Sequence, residues 1–563
     1  MSRLRVPAAV LVTCASVAAG AFLGVLAAQS PSADSRQAEE ARYRVYAAAL
    51  AAIENDYVEP IDGLCLEPKV CGSEALIYES INGMLRTLDP HSSFFTPRDF
   101  AQMRDRQEGR YFGIGISILS IDGDVTVTSL FEGSPAYRAG IRRGDIIAKV
   151  GDEDAKGWQT DEVVKRVKGP KGTTVDITIR RPGLDALIPL TVARDEIKMP
   201  TVRAAFMLTP STGYVRLQDF SETSDTELGE ALTRLKSSGM QRVVLDLRDN
   251  PGGPLDQAIA VANRFLKRGQ MIVSTRGRIP NSDEDYRARQ QGGYTDVPLI
   301  VLVNRGSASA SEIVTGAMQD HDRGLVVGET TFGKALVQSV YPIANGAGLA
   351  LTTGHYYTPS GRMIQRPWDS TFDDYRNYAA REQTGTREHK ASELTLTDAG
   401  RKVYGGGGVE PDHFVVGPVE GFNPTRFSRS LSTAFIDFAE RFTKEGDTRP
   451  GARSNATHHV EPGWTLTDAM VDEFRQFLID QHVRIDENAF KTDLAFIKSR
   501  IHYEVDVDLF GVEEARRVAS ATDPQLQAAL GYFDEAAHLL ELNTSATAGR
   551  AVKAPPANTQ AVR

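Results

Sequence analysis

At 563 residues, with 41% hydrophobic and 25% charged side chains, the chain has the composition of a globular protein with room for about three or four domains. Its net charge of −10 argues against a nucleic-acid binder, which is ordinarily basic, so no nucleic-acid partner is expected. Length and charge narrow the function no further.

Arg3 and Arg5 precede an uncharged, largely apolar stretch over residues 6–28. A positive head followed by an apolar run is the pattern of an export signal. The run is also long enough to cross a hydrocarbon core ~30 Å thick as a helix. Residues 1–30 therefore read as a cleaved signal peptide, with Val25-x-Ala27 as a weak cleavage site, or as an uncleaved membrane anchor. The length of the run favours the anchor. Either reading exports the remainder to a periplasmic or other extracytoplasmic space, because the positive flank favours the cytoplasmic side. Beyond the leader the only cysteines are Cys65 and Cys71. In an exported chain they read as a local disulfide or as two free thiols. Two cysteines without a neighbouring histidine are too few for a zinc site, and no metal is expected.

Ser30 to Ala38 is small and polar and reads as a tether. Helical spacing of apolar residues follows over Glu39–Tyr57 and again over Glu74–Leu88, where Pro90 stops the pattern. Residues 31–104 are thus expected to form a small helical domain. His91, beside that helix end, reads as a loop or capping residue rather than a base.

Residues 105–198 have the pattern of an independent module. Gly113-Ile114-Gly115-Ile116 opens an alternating segment, followed by Gly133-Ser134-Pro135-Ala136, Ala139-Gly140-Ile141 and Gly144-Asp145-Ile146-Ile147. A helix is expected from Thr160 to Lys168 and a strand from Val175 to Arg180. The module resembles a PDZ domain. The resemblance implies that backbone N–H groups of Gly113, Ile114, Gly115 and Ile116 receive a peptide's C-terminal carboxylate, while the following strand pairs with the peptide by β-augmentation. A dinucleotide loop is excluded, because the third glycine is replaced by Ile118 and a strand follows instead of a helix.

Residues 199–425 read as strands separated by helices of 10–15 residues, which implies crossover connections around a partly parallel sheet. Buried strands are expected at Val243–Leu247, Leu299–Val303 and Leu325–Val327, and helices at Leu255–Phe265 and Ser311–Gln319. Gly252-Gly253 and Ser309 each follow a buried strand, so both can face the crevice at the carboxyl ends of the strands.

Three serines, Ser307, Ser309 and Ser311, lie between a strand and a helix. Any of them can be a helix cap, a reading that fits Ser307 or Ser311. A nucleophile in the same place would be exposed near the positive helix end, with backbone N–H groups able to hold an oxyanion. No histidine is well placed as its base; His321 falls in the loop after the helix. Lys334 begins an alternating segment and Gln338 lies four positions on, so both are expected on one strand face. A lysine facing an apolar crevice is less hydrated, which lowers its pKa and lets it act as a base, with Gln338 holding its amine. Spacing alone equally fits a surface lysine. Gly328 to Lys334 also matches the start of a nucleotide-binding P-loop, but Ala335 stands where a magnesium-binding Ser or Thr is needed and a strand follows instead of a helix.

Motif order now points to a family. Leu88-Asp89-Pro90-His91-Ser92-Ser93, the PDZ motifs, Leu245-Asp246-Leu247-Arg248, Gly252-Gly253 and Gly306 to Glu312 run in one order. They are followed by Phe332-Gly333-Lys334, Gln338, Tyr357 to Arg362 and Glu410-Pro411-Asp412. The chain resembles the C-terminal processing peptidases, or tail-specific proteases. The resemblance implies a mixed α/β, crotonase-like protease core with an inserted PDZ domain, and a serine endopeptidase with no cofactor, acting on proteins with free C-termini. It implies Ser309 as nucleophile, Lys334 as general base and Gln338 as the residue orienting it. Gly253 and Ala310, with Gly252 second to Gly253, are implied as oxyanion N–H donors, and Glu312 and Asp320 as structural acids. Ala335, in place of a glycine, and Pro251 depart from the family pattern. The reading from another class is a catalytically inactive PDZ scaffold on a retained protease fold; intact Ser309, Lys334 and Gln338 argue against it.

Residues 426–545 hold amphipathic patterns, such as Met470, Phe474, Phe477 and Leu478, and read as a separate helical extension suited to oligomerisation or an adaptor. Asp447–Pro462 within it reads as a polar linker. Residues 546–563 end an Ala/Pro/Thr-rich run from Asn543 that reads as disordered.

Overall fold

The computed structural model describes residues 33–67, 70–121, 123–131, 133–181, 184–279, 282–368, 375, 378, 388–417, 434–439, 460–483 and 485–552. The leader, most of the polar linker and the final residues lie outside them. The chain divides into two units, residues 1–89 and 90–563.

In the first unit, helix α1 spans Ala33–Asp56 and α2 spans Ser73–Arg86. The tether expected over Ser30–Ala38 is corrected here: α1 begins at Ala33, and its Ala, Gln, Glu and Arg residues are good helix formers. Cys65 and Cys71 are joined by a disulfide across a short antiparallel pair. Among the described residues no helix is long and apolar enough to cross a membrane.

The second unit opens with β1 (Ser93–Phe95) and α3 (Pro97–Glu108). The Thr96 hydroxyl caps α3 by accepting from Asp99 N, and Gly109, at φ 69°, ends it. Next come β2 (Arg110–Gly113), β3 (Ile116–Ile121), β4 (Asp124–Leu130), β5 (Ile146–Val150), α4 (Thr160–Val167), β6 (Thr174–Arg180) and β7 (Ile188–Ala193). The sheet order is β7-β6-β5-β4-β3, which leaves β3 at an edge. Ile114, Val125, Ile147, Val163 and Ile177 are buried together as its core. Strand β8 (Asp195–Lys198) returns to pair with β2.

Two larger sheets are built from β9 (Val202–Thr209), β10 (Thr212–Leu217), β11 (Arg242–Asp246), β12 (Met271–Gly277), β13 (Glu284–Arg287), β14 (Leu299–Val303), β15 (Leu325–Gly328), β16 (Leu336–Pro342), β17 (Gly348–Tyr357) and β18 (His413–Phe414). The main sheet runs β9-β10-β11-β14-β15-β18, parallel except for β9. Strand β14 is buried at every position, as both-face burial of a parallel strand requires. A second sheet runs β13-β12-β17-β16, with β1 added to β17. Residues 93–95, read as part of a helical segment, therefore belong to a sheet. Their Ser-Phe-Phe run suits a half-buried strand.

Helices α5 (Ser224–Ser237), α6 (Leu255–Asn263) and α7 (Ala310–Asp320) cover one face of the main sheet. The other face is covered from the C-terminal end of the chain. After α8 (Asp468–Asp480), α9 (Leu494–Phe510) and α10 (Val512–Ala519) come α11 (Pro524–Gly531) and α12 (Phe533–Val552). Leu526, Ala529, Phe533, Ala536 and Leu539 pack on Phe206, Tyr214, Val244, Ile300 and Leu302. The C-terminal helices are thus not wholly separate. Residues 434–439, α8 and α9 have their own aromatic core, whereas α11 and α12 cover the main sheet. A parallel sheet with one bare face would expose Ile300 and Leu302 to water, which explains why this packing is needed. Disorder from Asn543 is corrected as far as Val552, where α12 ends; residues 553–563 lie outside the described residues. Fold and class are those expected of the sequence: a mixed α/β core with a PDZ domain and C-terminal helices.

Candidate active site

The turn after β14 brings the three serines into different environments. Ser307 Oγ donates to Leu247 O at 2.8 Å and accepts from Asn304 N at 3.0 Å. Ser311 Oγ donates to Asn250 O at 3.0 Å. Both side chains are fully buried and bind the neighbouring turn, so neither is the helix cap that was expected of them. Ser309 is the residue at the N-cap of α7, half-buried, at φ 53° and ψ −113°. A non-glycine residue there is held against its preference by its surroundings. Its hydroxyl faces the Glu312 N–H in a capping box and donates to no group among the described residues.

That neighbouring turn follows β11. Asn250 is fully buried; its Nδ2 donates to Leu217 O at 2.8 Å and its Oδ1 accepts from Gly252 N at 2.9 Å. The Gly252 N–H is therefore occupied. The N–H groups of Gly253 and Ala310 have no partner among the described residues. Gly252 sits at φ 95°, and a Cβ there would lie 2.8 Å from both Ala310 N and Ser309 Cβ. Only glycine allows the two turns to approach so closely. Pro251 does not disturb this arrangement, since a proline lacks an N–H and none is used there.

Asp246 anchors the same turn. Its carboxylate accepts from Tyr214 Oη at 2.6 Å, Arg216 Nη1 at 3.0 Å and Arg248 Nη2 at 2.7 Å. Burial opposes its charge, but the Arg248 and Arg216 guanidiniums outweigh it and hold the carboxyl well below the usual range. Arg248 Nη1 reaches on to Asp523 Oδ1 at 3.0 Å and Gln525 Oε1 at 2.9 Å, at the start of α11. The C-terminal helices thus touch the network behind Gly252-Gly253, which nothing in their periodicity announced.

Lys334 lies just before β16, which begins at Leu336, not at Lys334 as expected. Its Nζ donates to Gln338 Oε1 at 2.8 Å despite a register irregularity between Val337 and Gln338. Gln338 Nε2 donates to His91 O at 2.8 Å. With the amide nitrogen so used, the oxygen must face the lysine. His91 pairs through Nε2 with Tyr375 Oη at 2.7 Å. His91 contributes its backbone carbonyl to this chain, a role that no side-chain argument could find. His321 is tied through both ring nitrogens, to Asp398 Oδ2 and Met271 O, each at 2.7 Å, which leaves it no role as a base.

Glu312 joins the two halves. It is fully buried, and four groups donate to its carboxylate. Oε2 accepts from Ser309 N and Lys334 N, each at 2.9 Å; Oε1 accepts from Gly333 N at 2.7 Å and Thr331 Oγ1 at 2.5 Å. Burial pushes its pKa up, and these four donors pull against that shift. The Ser-x-x-Glu spacing from Ser309 to Glu312 is a capping-box signature legible in the sequence; the bonds to Thr331, Gly333 and Lys334 are not. Tyr356 Oη donates to Ser309 O at 3.2 Å, and burial pushes that phenol far up. Asp320 accepts from Ser360 N at 2.9 Å and pairs with Arg362, which ties the end of α7 to the Tyr357–Arg362 motif. Asp412 accepts from Val326 N at 2.8 Å and from Gln319 Nε2 at 3.1 Å, so the Glu410–Asp412 motif is fastened to β15 and α7.

In the PDZ-like sheet, Gly113 ends β2, Ile114 is buried, Gly115 is at φ 83° and Ile116 opens β3. The Ile114 and Gly115 carbonyls accept from Ala136 N at 2.9 Å and Phe131 N at 3.1 Å. The N–H groups of Ile114 and Gly115 have no partner among the described residues, beside the edge strand β3. This arrangement suits a carboxylate followed by an added strand. Among the described residues no cluster of His, Cys, Asp and Glu could hold a metal ion.

Residues 211–369 match the profile of Peptidase family S41, and residues 102–180 match the PDZ domain. The chain is 41% identical over 296 residues to the carboxy-terminal-processing protease of Bartonella bacilliformis, covering 52% of this chain and 68% of that one. It is 38% identical over 295 residues to the carboxyl-terminal-processing protease of Picosynechococcus sp., covering 51% and 70%. Among solved structures it is similar to a photosystem II D1 C-terminal processing protease, at 28% identity over 66% of this chain and 92% of that one, with a TM-score of 0.33. The chain belongs to the carboxy-terminal-processing proteases of peptidase family S41, a serine protease family, and carries a PDZ domain ahead of its protease core.

Proposed function

We propose that this chain is an exported serine endopeptidase that captures protein C-termini in its PDZ domain and cleaves unfolded or tail-marked substrates with a Ser309–Lys334 dyad. The observation that carries the reading is the difference among the three serines: the Ser307 and Ser311 hydroxyls are buried and donate to carbonyls of the neighbouring turn, whereas that of half-buried Ser309 donates to no group among the described residues. Ser309 Oγ attacks the scissile carbonyl carbon while neutral Lys334 Nζ takes its proton. The carbonyl oxygen becomes an oxyanion held by the Gly253 and Ala310 N–H groups. Collapse breaks the C–N bond, and Lys334 returns its proton to the leaving amine. Water then attacks the acyl ester with Lys334 again as base, which frees the acid product and Ser309. Gln338, fixed by the His91 carbonyl, holds one N–H of the amine and so aims its lone pair. No hydrogen bond joins Ser309 Oγ to Lys334 Nζ among the described residues, so in this mechanism substrate entry completes the dyad. No metal or organic cofactor enters any step. Residues 6–28 would anchor the enzyme to the inner membrane with the protease on the extracytoplasmic side.

Hydrolysis of an unfolded protein tests the reading. Wild type is expected to cleave it, and Ser309→Ala and Lys334→Ala each to lose at least ~1,000-fold in rate. Full activity in Ser309→Ala would refute the mechanism.

A further inference from the structure

The loop that carries Lys334 is held on both sides by Gln365 and Arg366. Gln365 Oε1 accepts from Ala335 N at 2.8 Å, and Arg366 N donates to Gly333 O at 2.8 Å. Gln365 Nε2 donates to Arg366 O at 2.9 Å and to Tyr375 Oη at 3.2 Å. Its oxygen is used by Ala335, so the amide has one orientation. Tyr375 Oη pairs in turn with His91 Nε2 at 2.7 Å. Gln365 and Tyr375 are both buried. The Tyr375 ring also meets Phe332 and His91 edge to face, with centroids 5.2 Å and 5.5 Å apart.

These bonds close a ring around the lysine. It leaves the backbone at Ala335, passes through Gln365, Tyr375 and the His91 side chain, and reaches the His91 carbonyl. From there it returns through Gln338 to Lys334 Nζ. The lysine side chain is thus fixed at its backbone and at its amine by one connected set of groups. Lysine has a flexible four-carbon stem, so a hold on the amine alone leaves its path to the serine loose. Fixing both ends before substrate arrives spares that ordering in the transition state. Buried polar groups keep such a ring closed, because a broken bond leaves a buried group unpaired.

We infer that Gln365 and Tyr375 are positioning residues for the general base, Gln365 through the lysine backbone and Tyr375 through His91 and Gln338. The inference rests on the Ser309–Lys334 mechanism and adds to it two residues that act on the base and not on the substrate.

Hydrolysis kinetics of Tyr375→Phe and Gln365→Leu, alone and combined with Gln338→Ala, test it. Tyr375→Phe keeps the ring and removes the hydroxyl; it should lower kcat ~10-fold with KM unchanged. Gln365→Leu should cost at least as much. In the Gln338→Ala background, Tyr375→Phe should cost less than ~2-fold, because its route to the amine is already cut. A wild-type kcat in either single variant would overturn the assignment. So would the same ~10-fold loss from Tyr375→Phe in both backgrounds, which is the additivity of a merely structural role. A wild type that cleaves nothing would sink the Ser309 mechanism, and the ring would then be judged by the lysine itself. Competitive acetylation of the Ser309→Ala protein, read by peptide mass spectrometry, compares Lys334 with the other lysines. Tyr375→Phe and Gln365→Leu should each change that relative labelling by at least ~3-fold, in the direction that Gln338→Ala changes it. Unchanged labelling in both would overturn the assignment on its own.

Discussion

Ser309 and Lys334 donate their backbone N–H groups to one carboxylate oxygen, Oε2 of Glu312, each at 2.9 Å. The serine turn and the lysine loop are distant in sequence and are registered to each other through this buried acid. Glu312→Gln should disturb both at once, because an amide NH2 facing two N–H donors replaces two bonds with repulsion. The expected result is a fall in kcat of ~100-fold with little change in KM, and a loss of about 1–3 kcal/mol in stability. Kinetics together with thermal unfolding would measure both. An unaltered kcat would remove Glu312 from a positioning role.

The same acid sets a pH dependence of stability. Burial raises its pKa in the folded chain above the unfolded value. The folded state thus binds that proton more tightly. The contribution of this group is fully present below the unfolded pKa and is lost as pH rises through the folded pKa. Activity should run the other way, since only the carboxylate can accept from all four donors. The difference in unfolding free energy between wild type and Glu312→Gln, measured across the acid range, should therefore change with pH in that sense. A pH-independent difference would show that Glu312 does not titrate there.

Gln338 is held between the His91 carbonyl and the lysine amine. Gln338→Ala should lower kcat by ~10–100-fold through loss of one hydrogen bond to the lysine. Gln338→Glu should keep the contact but favour the charged ammonium, and so move the alkaline rise of the pH–rate profile to higher pH. If both variants gave the wild-type profile, Gln338 would not orient the base.

Much of this was legible in the sequence. The wholly apolar run Leu299–Val303 is the buried strand it read as, and the turn-rich spacing of residues 105–198 gives the PDZ sheet. Ser309, Lys334, Gln338, Gly253 and Ala310 all fall near one another around Glu312 and the Gly252 turn. What spacing could not provide was long-range partnership. Ser307 and Ser311 looked like helix caps because their partners, Leu247 and Asn250, come from another strand end. His91 acts through its carbonyl, which carries no side-chain signature. Helices α11 and α12 show an apolar stripe but not which surface it covers.

That surface gives a further expectation. Asp523→Ala removes one of the acceptors of buried Arg248, which keeps Asp246. A loss of about 1–3 kcal/mol is expected, with lower kcat through the Gly252-Gly253 turn. Truncation before α11 would bare Phe206, Ile300 and Leu302 and should give aggregated protein, seen by gel filtration. A soluble, active truncated chain would show that these helices are dispensable.

In the PDZ domain, Gly115 is at φ 83°, and a Cβ there would lie 2.4 Å from Ser134 Cβ. Gly115→Ala should displace the Ile114–Ile116 loop and weaken binding of a peptide with a free C-terminus by at least ~10-fold in fluorescence anisotropy. Equal affinity would place the carboxylate elsewhere.

The most direct test of the central claim is to acylate the protein with a p-nitrophenyl ester, quench it in acid and map the adduct by peptide mass spectrometry. The adduct is predicted on Ser309 Oγ, and Ser309→Ala should carry none. An adduct on Ser307 or Ser311, or equal labelling of Ser309→Ala, would contradict the account.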